Sequence, residues 1–145
     1  MGDFLMSERD ITELFDTLEK IYLKNLVQDD LTIAESIALH VVFQLKSPTI
    51  IELAKALKIS QSNATYLIQK LIGRGYLKRI RSEEDRREYH LEVTEKFDQT
   101  LNTSRALLKE SLKEQLNKYK VSDQQVIQDF YREVINNVKT ECDSI

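Results

Sequence analysis

The 145-residue sequence is poor in several residue types, and each shortage excludes something. It has one cysteine, Cys142, so neither an internal disulfide framework nor a cysteine-based zinc finger can form. Three glycines and one proline argue against a turn-rich all-β fold. Gly2, Gly73 and Gly75 do not make a loop that could cradle phosphate. No apolar run approaches the ~20 residues of a membrane-spanning helix. Residues 1–6 lack the basic start and apolar stretch of a secretory signal, so the expected compartment is the cytoplasm. His40 and His90 stand far apart and share no metal-ligand spacing with Cys142. His40, among Ala38, Leu39, Val41 and Val42, reads as a core residue. His90 reads as a solvated strand residue, and Cys142, beside Glu141 and Asp143, as an incidental surface thiol. The expectation is no catalytic site, no cofactor and no metal.

Charge is plentiful, at 31% of residues, and unevenly spread. Residues 47–94 carry nine Lys/Arg against six acids, a balance of +3, whereas the remainder holds twelve basic and eighteen acidic residues and carries −6. A basic centre between acidic ends suggests a central segment that meets an anion.

Apolar spacing of three and four, at Ile11, Leu14, Phe15, Leu18, Ile21, Tyr22 and Leu26, predicts a helix over 8–27 that ends at Asp29-Asp30. Thr32-Ile33-Ala34-Glu35 is a capping box opening a deeply placed helix that ends near Lys46, before Ser47-Pro48. Thr49-Ile50-Ile51-Glu52 is a second box, opening a short helix to Leu57. After the turn at Lys58-Ile59, Ser60 is the N-cap of a third helix that stops at Gly73 or Gly75. The period then drops to two. Residues 76–81 and 87–93 read as a hairpin around a charged tip. A long helix follows over about 95–119. A last helix opens at an expected capping box, Ser122-Asp123-Gln124-Gln125. The fold class is therefore mainly α with a small β-hairpin.

Two short helices joined by a tight turn, followed by a hairpin with a basic tip, make a winged helix-turn-helix. Helix 60–73 buries Ala64, Leu67, Ile68 and Leu71, which leaves Gln61, Ser62, Thr65, Tyr66 and Gln69 on the outer face. From Ser60 to Ile72 there is no acid, and the outer face offers amide, hydroxyl and phenol groups suited to base edges in a major groove. These five are the expected base readers. Thr49, Lys55, Asn63, Lys70, Arg74, Lys78 and Arg86 are expected at the DNA backbone, where contacts fix register. A wing arginine, Arg86 or Arg87, suits the enhanced negative potential of a narrow minor groove. Asp85 could pair with such an arginine and fix its rotamer. The terminal helices carry more apolar residues (Phe15, Ile21, Phe130, Tyr131, Ile135, Val138) than one chain of this size needs, which suggests a second copy.

Three runs strengthen this reading. They are Thr49–Ala54, Leu57–Thr65 and Leu71–Arg79, continued by Asp85–Lys96 at the hairpin. Together they resemble the DNA-binding lobe, wing and following helix of the MarR family. The resemblance implies a winged helix-turn-helix with N- and C-terminal dimerisation helices in one domain spanning 1–145. Residues 8–31 and 95–142 would serve dimerisation and 32–94 DNA binding. It further implies a cytoplasmic, homodimeric regulator of transcription, most often a repressor. Its partner would be double-stranded DNA with a pseudo-palindromic operator. Arg87 would be the minor-groove residue, oriented by Asp85, and Arg86 a phosphate contact. A small-molecule effector is plausible by the same resemblance, with Tyr22, His40, Phe43 and Phe97 as candidate lining residues. Phe97 departs from the family pattern, which commonly has glycine near this point. The rival expectation is a winged-helix protein–protein module without specific DNA binding.

Overall fold

The computed structural model describes residues 7–28 and 30–142. The reading of residues 1–6 lies outside them. The chain divides into two compact units, Met1–Ser104 and Arg105–Ile145.

In the first unit, α1 (Glu8–Leu26) opens with a reciprocal cap between Ser7 and Asp10. Its apolar stripe is almost wholly uncovered, with Leu26 the one buried residue. α2 (Ile33–Leu45) and α3 (Ile50–Leu57) start at the two Thr-Glu capping boxes. In each box the threonine hydroxyl accepts the amide of the glutamate, and the carboxylate accepts the amide of the threonine. α2 is the central helix of the lobe, burying Glu35, Ser36, Ala38, Leu39 and Val42. Ile33, its first residue, lies on its open side and is 50% exposed.

Between α2 and α3 the chain turns through two consecutive left-handed residues, Lys46 (φ 51°) and Ser47 (φ 68°), into buried Pro48. Lys58 (φ 54°) makes the turn to α4 (Gln61–Gly73). At the end of α4, Gly75 (φ 81°) lets its own amide bond Ile72 O at 3.0 Å. Tyr76 N then reaches Leu71 O at 2.9 Å. That paired closure needs a left-handed residue after the C-cap, so Gly75, not Gly73, is the stop.

β1 (Leu77–Arg81) and β2 (Tyr89–Val93) pair antiparallel, with Leu77 opposite Val93 and Arg79 opposite Leu91. Leu77 and Leu91 point inward to a core built from Leu39, Val42, Leu53, Ile68, Leu71, Tyr76 and Phe97. This core fixes the rotation of α4 about its own axis, and hence which of its residues face outward.

α5 (Glu95–Leu116) begins in the first unit, and the second contains its later turns and α6 (Val121–Cys142). α6 begins at Val121, so Ser122 lies inside the helix and the expected box there is unused. The first backbone bond runs instead from Gln124 N to Lys120 O. No residue of α6 is buried. Leu112, Leu116, Val121, Ile127 and Tyr131 line an open groove of about 380 Å³ within this unit. Among the described residues no helix is long and apolar enough to cross a membrane.

Candidate nucleic-acid interface

α4 buries Ala64, Ile68 and Leu71 and turns Gln61, Ser62, Asn63, Tyr66, Gln69 and Lys70 outward. Four of the five expected base readers therefore share one solvent-facing side. Thr65 is half-buried, and its hydroxyl donates back to Gln61 O at 2.8 Å. Such back-bonding is common for threonine in a helix. The Lys70 ammonium sits 4.7 Å from the centre of the Tyr66 ring, a cation–π distance.

The expected backbone-contact residues divide. Lys55, Asn63, Lys78 and Arg86 are exposed. Lys78 is 3.5 Å from Glu92 across the hairpin, a half-exposed pair of little energetic weight. Thr49 is committed elsewhere: it is buried, and its hydroxyl caps α3. Arg74, although exposed, is also engaged, its Nη1 donating to Glu35 Oε2 at 2.9 Å and to Asp30 O at 2.6 Å. The Thr49 cap is the one its local sequence announces, whereas the commitment of Arg74 is not local, because its partners lie 39 and 44 residues away.

The wing tip, residues 82–88, is held by its own short bonds. Ser82 N donates to Glu88 O and Glu88 N to Asp85 O, both at 3.0 Å. Asp85 Oδ1 accepts the backbone amide of Arg87 at 2.9 Å, so it shapes the chain at Arg87 and not the guanidinium. Arg81 Nε donates to Arg86 O at 2.9 Å. The alternation of the strands could have suggested this brace, since Arg81 stands opposite Tyr89 at the mouth of the tip.

His90 corrects its expectation as a solvated residue. It is half-buried, and its Nδ1 donates to Ser47 O at 2.8 Å. Leu91 N donates to Pro48 O at 2.8 Å beside it. The wing is thereby fastened to the α2–α3 turn.

The four aromatic candidates do come together. Tyr22 and His40 meet edge-on at 5.5 Å, His40 and Phe97 at 5.1 Å, and Phe43 and Phe97 at 6.1 Å. Phe97 is fully buried. His40 Nδ1 donates to Ser36 O at 2.8 Å. His40 Nε2 and Ser36 Oγ are buried without a hydrogen-bond partner.

The MarR family profile matches residues 31–89, from the end of the α1–α2 connection to the first residue of β2. The match is confined to this winged-helix lobe. The HTH-type transcriptional regulator Hpr of Bacillus cytotoxicus is 33% identical over 88 residues, 61% of this chain and 48% of that protein. The chain thus spans about half the length of the Bacillus regulators it matches. Among solved structures, the transcriptional regulator Tm0710 of Thermotoga maritima is similar with a TM-score of 0.65 at 21% identity, covering 94% of this chain and 96% of that one. Streptococcus pneumoniae FabT, solved in complex with DNA, has a TM-score of 0.53 at 18% identity, covering 92% and 99%. At these identities the two structures establish the winged-helix fold of the lobe and its flanking helices.

Proposed function

We propose that the chain is a sequence-specific, homodimeric DNA-binding regulator of transcription, acting in the cytoplasm as a repressor that a small molecule releases. The observation that carries the reading is the open face of α4. In a chain of net charge −3, this helix presents Gln61, Ser62, Tyr66, Gln69 and Lys70 without one acid. The face has the size and chemistry of a major-groove reader. Gln61, Ser62, Thr65, Tyr66 and Gln69 read bases, while Lys55, Asn63, Lys70, Lys78 and Arg86 meet phosphates. Arg87, on a tip whose backbone Asp85 shapes, enters the minor groove.

Dimerisation is supported by the uncovered apolar faces. Phe15 on α1 is 65% exposed and Ile135 on α6 is 55% exposed, with Leu14, Phe130, Val134 and Val138 beside them in sequence register. Apolar patches of this extent mark interaction surfaces. A second copy would bury them and place two recognition helices on half-sites one turn apart, ~34 Å. Effector release is supported by the aromatic cluster. His40 Nε2 and Ser36 Oγ are buried polar atoms that a small molecule carrying a donor would satisfy.

Selection from a randomised duplex pool at physiological salt tests the reading. Sequence-independent binding is weak there, ~10⁻⁴–10⁻⁶ M. The expected result is an enriched pseudo-palindrome with half-sites one turn apart. Folded, dimeric protein that enriches nothing would refute it in favour of a winged-helix protein–protein module.

A further inference from the structure

Arg74 sits where four segments of the first unit meet. It is the C-cap of α4. Its guanidinium donates to the Glu35 carboxylate in the first turn of α2 and to Asp30 O in the α1–α2 connection. Its own carbonyl accepts from Lys96 Nζ, in the first turn of α5, at 3.0 Å. Two residues on, the Tyr76 hydroxyl donates to the Asp30 carboxylate, and the Lys96 ammonium lies 4.2 Å from the Tyr76 ring centre. Lys70, one turn earlier on α4, brings a second cation to 4.0 Å from Glu35.

Glu35 is 1% exposed and already serves as the reciprocal half of the α2 cap, accepting Thr32 N at 2.9 Å. A buried carboxylate tolerates loss of its cation badly. Were Arg74 to swing outward to a phosphate, Glu35 would lose its nearest positive charge and Asp30 O its donor. The side chain is thus held inward although it is partly exposed. The same bonds fix the end of the helix whose outer face carries the base readers.

We infer that Glu35 and Arg74 form a positioning pair for the recognition helix and are not part of its phosphate-binding surface. The pair holds the C-terminal end of α4 against α2 and the α1–α2 connection, and the backbone carbonyl of Arg74 adds the start of α5 through Lys96. Any displacement of α1 or α5 is then passed to Gln61, Tyr66 and Gln69. The inference rests on the DNA-binding reading above and extends it from contact residues to the geometry that aims them.

Substitution at Glu35 separates the two roles of Arg74 by sign. Glu35→Gln keeps an oxygen for Thr32 N, so the cap survives, and removes the charge that holds Arg74. The probe is the duplex enriched by the selection, compared with an unrelated duplex of equal length. Both are titrated over a salt series with the full chain. The variants are Glu35→Gln, Arg74→Gln and the two combined, and each is melted in parallel.

The expected result is a loss of about tenfold in affinity for the enriched duplex in either single variant, with little further loss when they are combined. The salt slope and the affinity for the unrelated duplex should stay as in the unaltered protein. Binding by Glu35→Gln that is unchanged or tighter would overturn the inference. So would a salt slope reduced by about one phosphate in Arg74→Gln, which would make Arg74 a backbone ligand. Affinity that falls only in step with the melting temperature, and returns on cooling, would also overturn it by leaving the pair a merely stabilising one. If the unaltered protein cannot tell the two duplexes apart, the DNA-binding reading fails first and the positioning role with it. If it can and the variants match it, the positioning role alone fails.

Discussion

Gly73 and Gly75 are two residues apart, and alanine should shift stability in opposite directions at these sites. At Gly75 the backbone φ is 81°, and a Cβ would meet no atom within 4 Å. The penalty is therefore purely conformational, the ~1–2 kcal/mol that a left-handed backbone costs an L-residue. At Gly73 the backbone is helical and the space around it is equally open. Alanine there should stabilise by about 0.5–1 kcal/mol, through helix propensity and a less free unfolded chain. The two variants should thus differ by roughly 2 kcal/mol, or about 1 M in urea midpoint for a slope near 2 kcal/mol/M. The assay is equilibrium urea unfolding at one fixed protein concentration, because association adds to apparent stability. The slope should be the same for both. Shifts of the same sign, or a neutral Gly75→Ala, would refute the assignment of the α4 stop to Gly75.

Phe97→Ala removes a fully buried ring that touches His40 and Phe43, and should cost ~3–5 kcal/mol in the same unfolding assay. Arg87→Ala should weaken binding to the enriched duplex by about 1–3 kcal/mol, read by titration, while unfolding stays unchanged. The Glu35 carboxyl is held below its ordinary 4.5, first by the Thr32 amide and then by Arg74 and Lys70, against the effect of burial. Its folded value is the lower one, so its charge contributes stability above pH 4.5 that is lost as pH falls through the folded value. The urea midpoints of the unaltered protein and Glu35→Gln should differ by a constant amount near neutrality and converge below that pH. Ile135→Glu places a charge in the exposed apolar stripe of α6, and should shift sedimentation from a dimer to a monomer without unfolding the first unit.

What could be read from the sequence was mostly local. The Thr32-Glu35 and Thr49-Glu52 boxes announced their helices because both partners of each bond lie within one turn. The acid-free face of α4 was legible because Ala64, Ile68 and Leu71 mark its inner side. Ser7 and Asp10 form an equally local box, with both bonds inside one turn. Ser122 shows the limit of such signals: its spacing fits a cap, yet α6 starts one residue before it. The errors at the site share another cause. Arg74, Thr49 and His90 carry side chains that suit a surface, and their local sequence gives no sign of Glu35, of burial beside the wing, or of Ser47 O. Those partners come into reach only once the core has brought α2, α4 and β2 together.

The hydrogen bonds that shape the wing tip all begin and end between Arg81 and Arg87 or Glu88, and the Ser82–Glu88 bond closes its base. Leu77 and Leu91 anchor the hairpin in the core further down the ladder. The tip is therefore an exchangeable cassette. Its length and charge can be redrawn, by evolution or by grafting, and the reach of Arg86 and Arg87 adjusted, without disturbing the packing that aims α4. Tolerance to insertion should be confined to residues 83–87. At the α2–α3 turn, where two left-handed residues lead into buried Pro48 and His90 grips Ser47, the same insertion would unfasten the wing from the lobe.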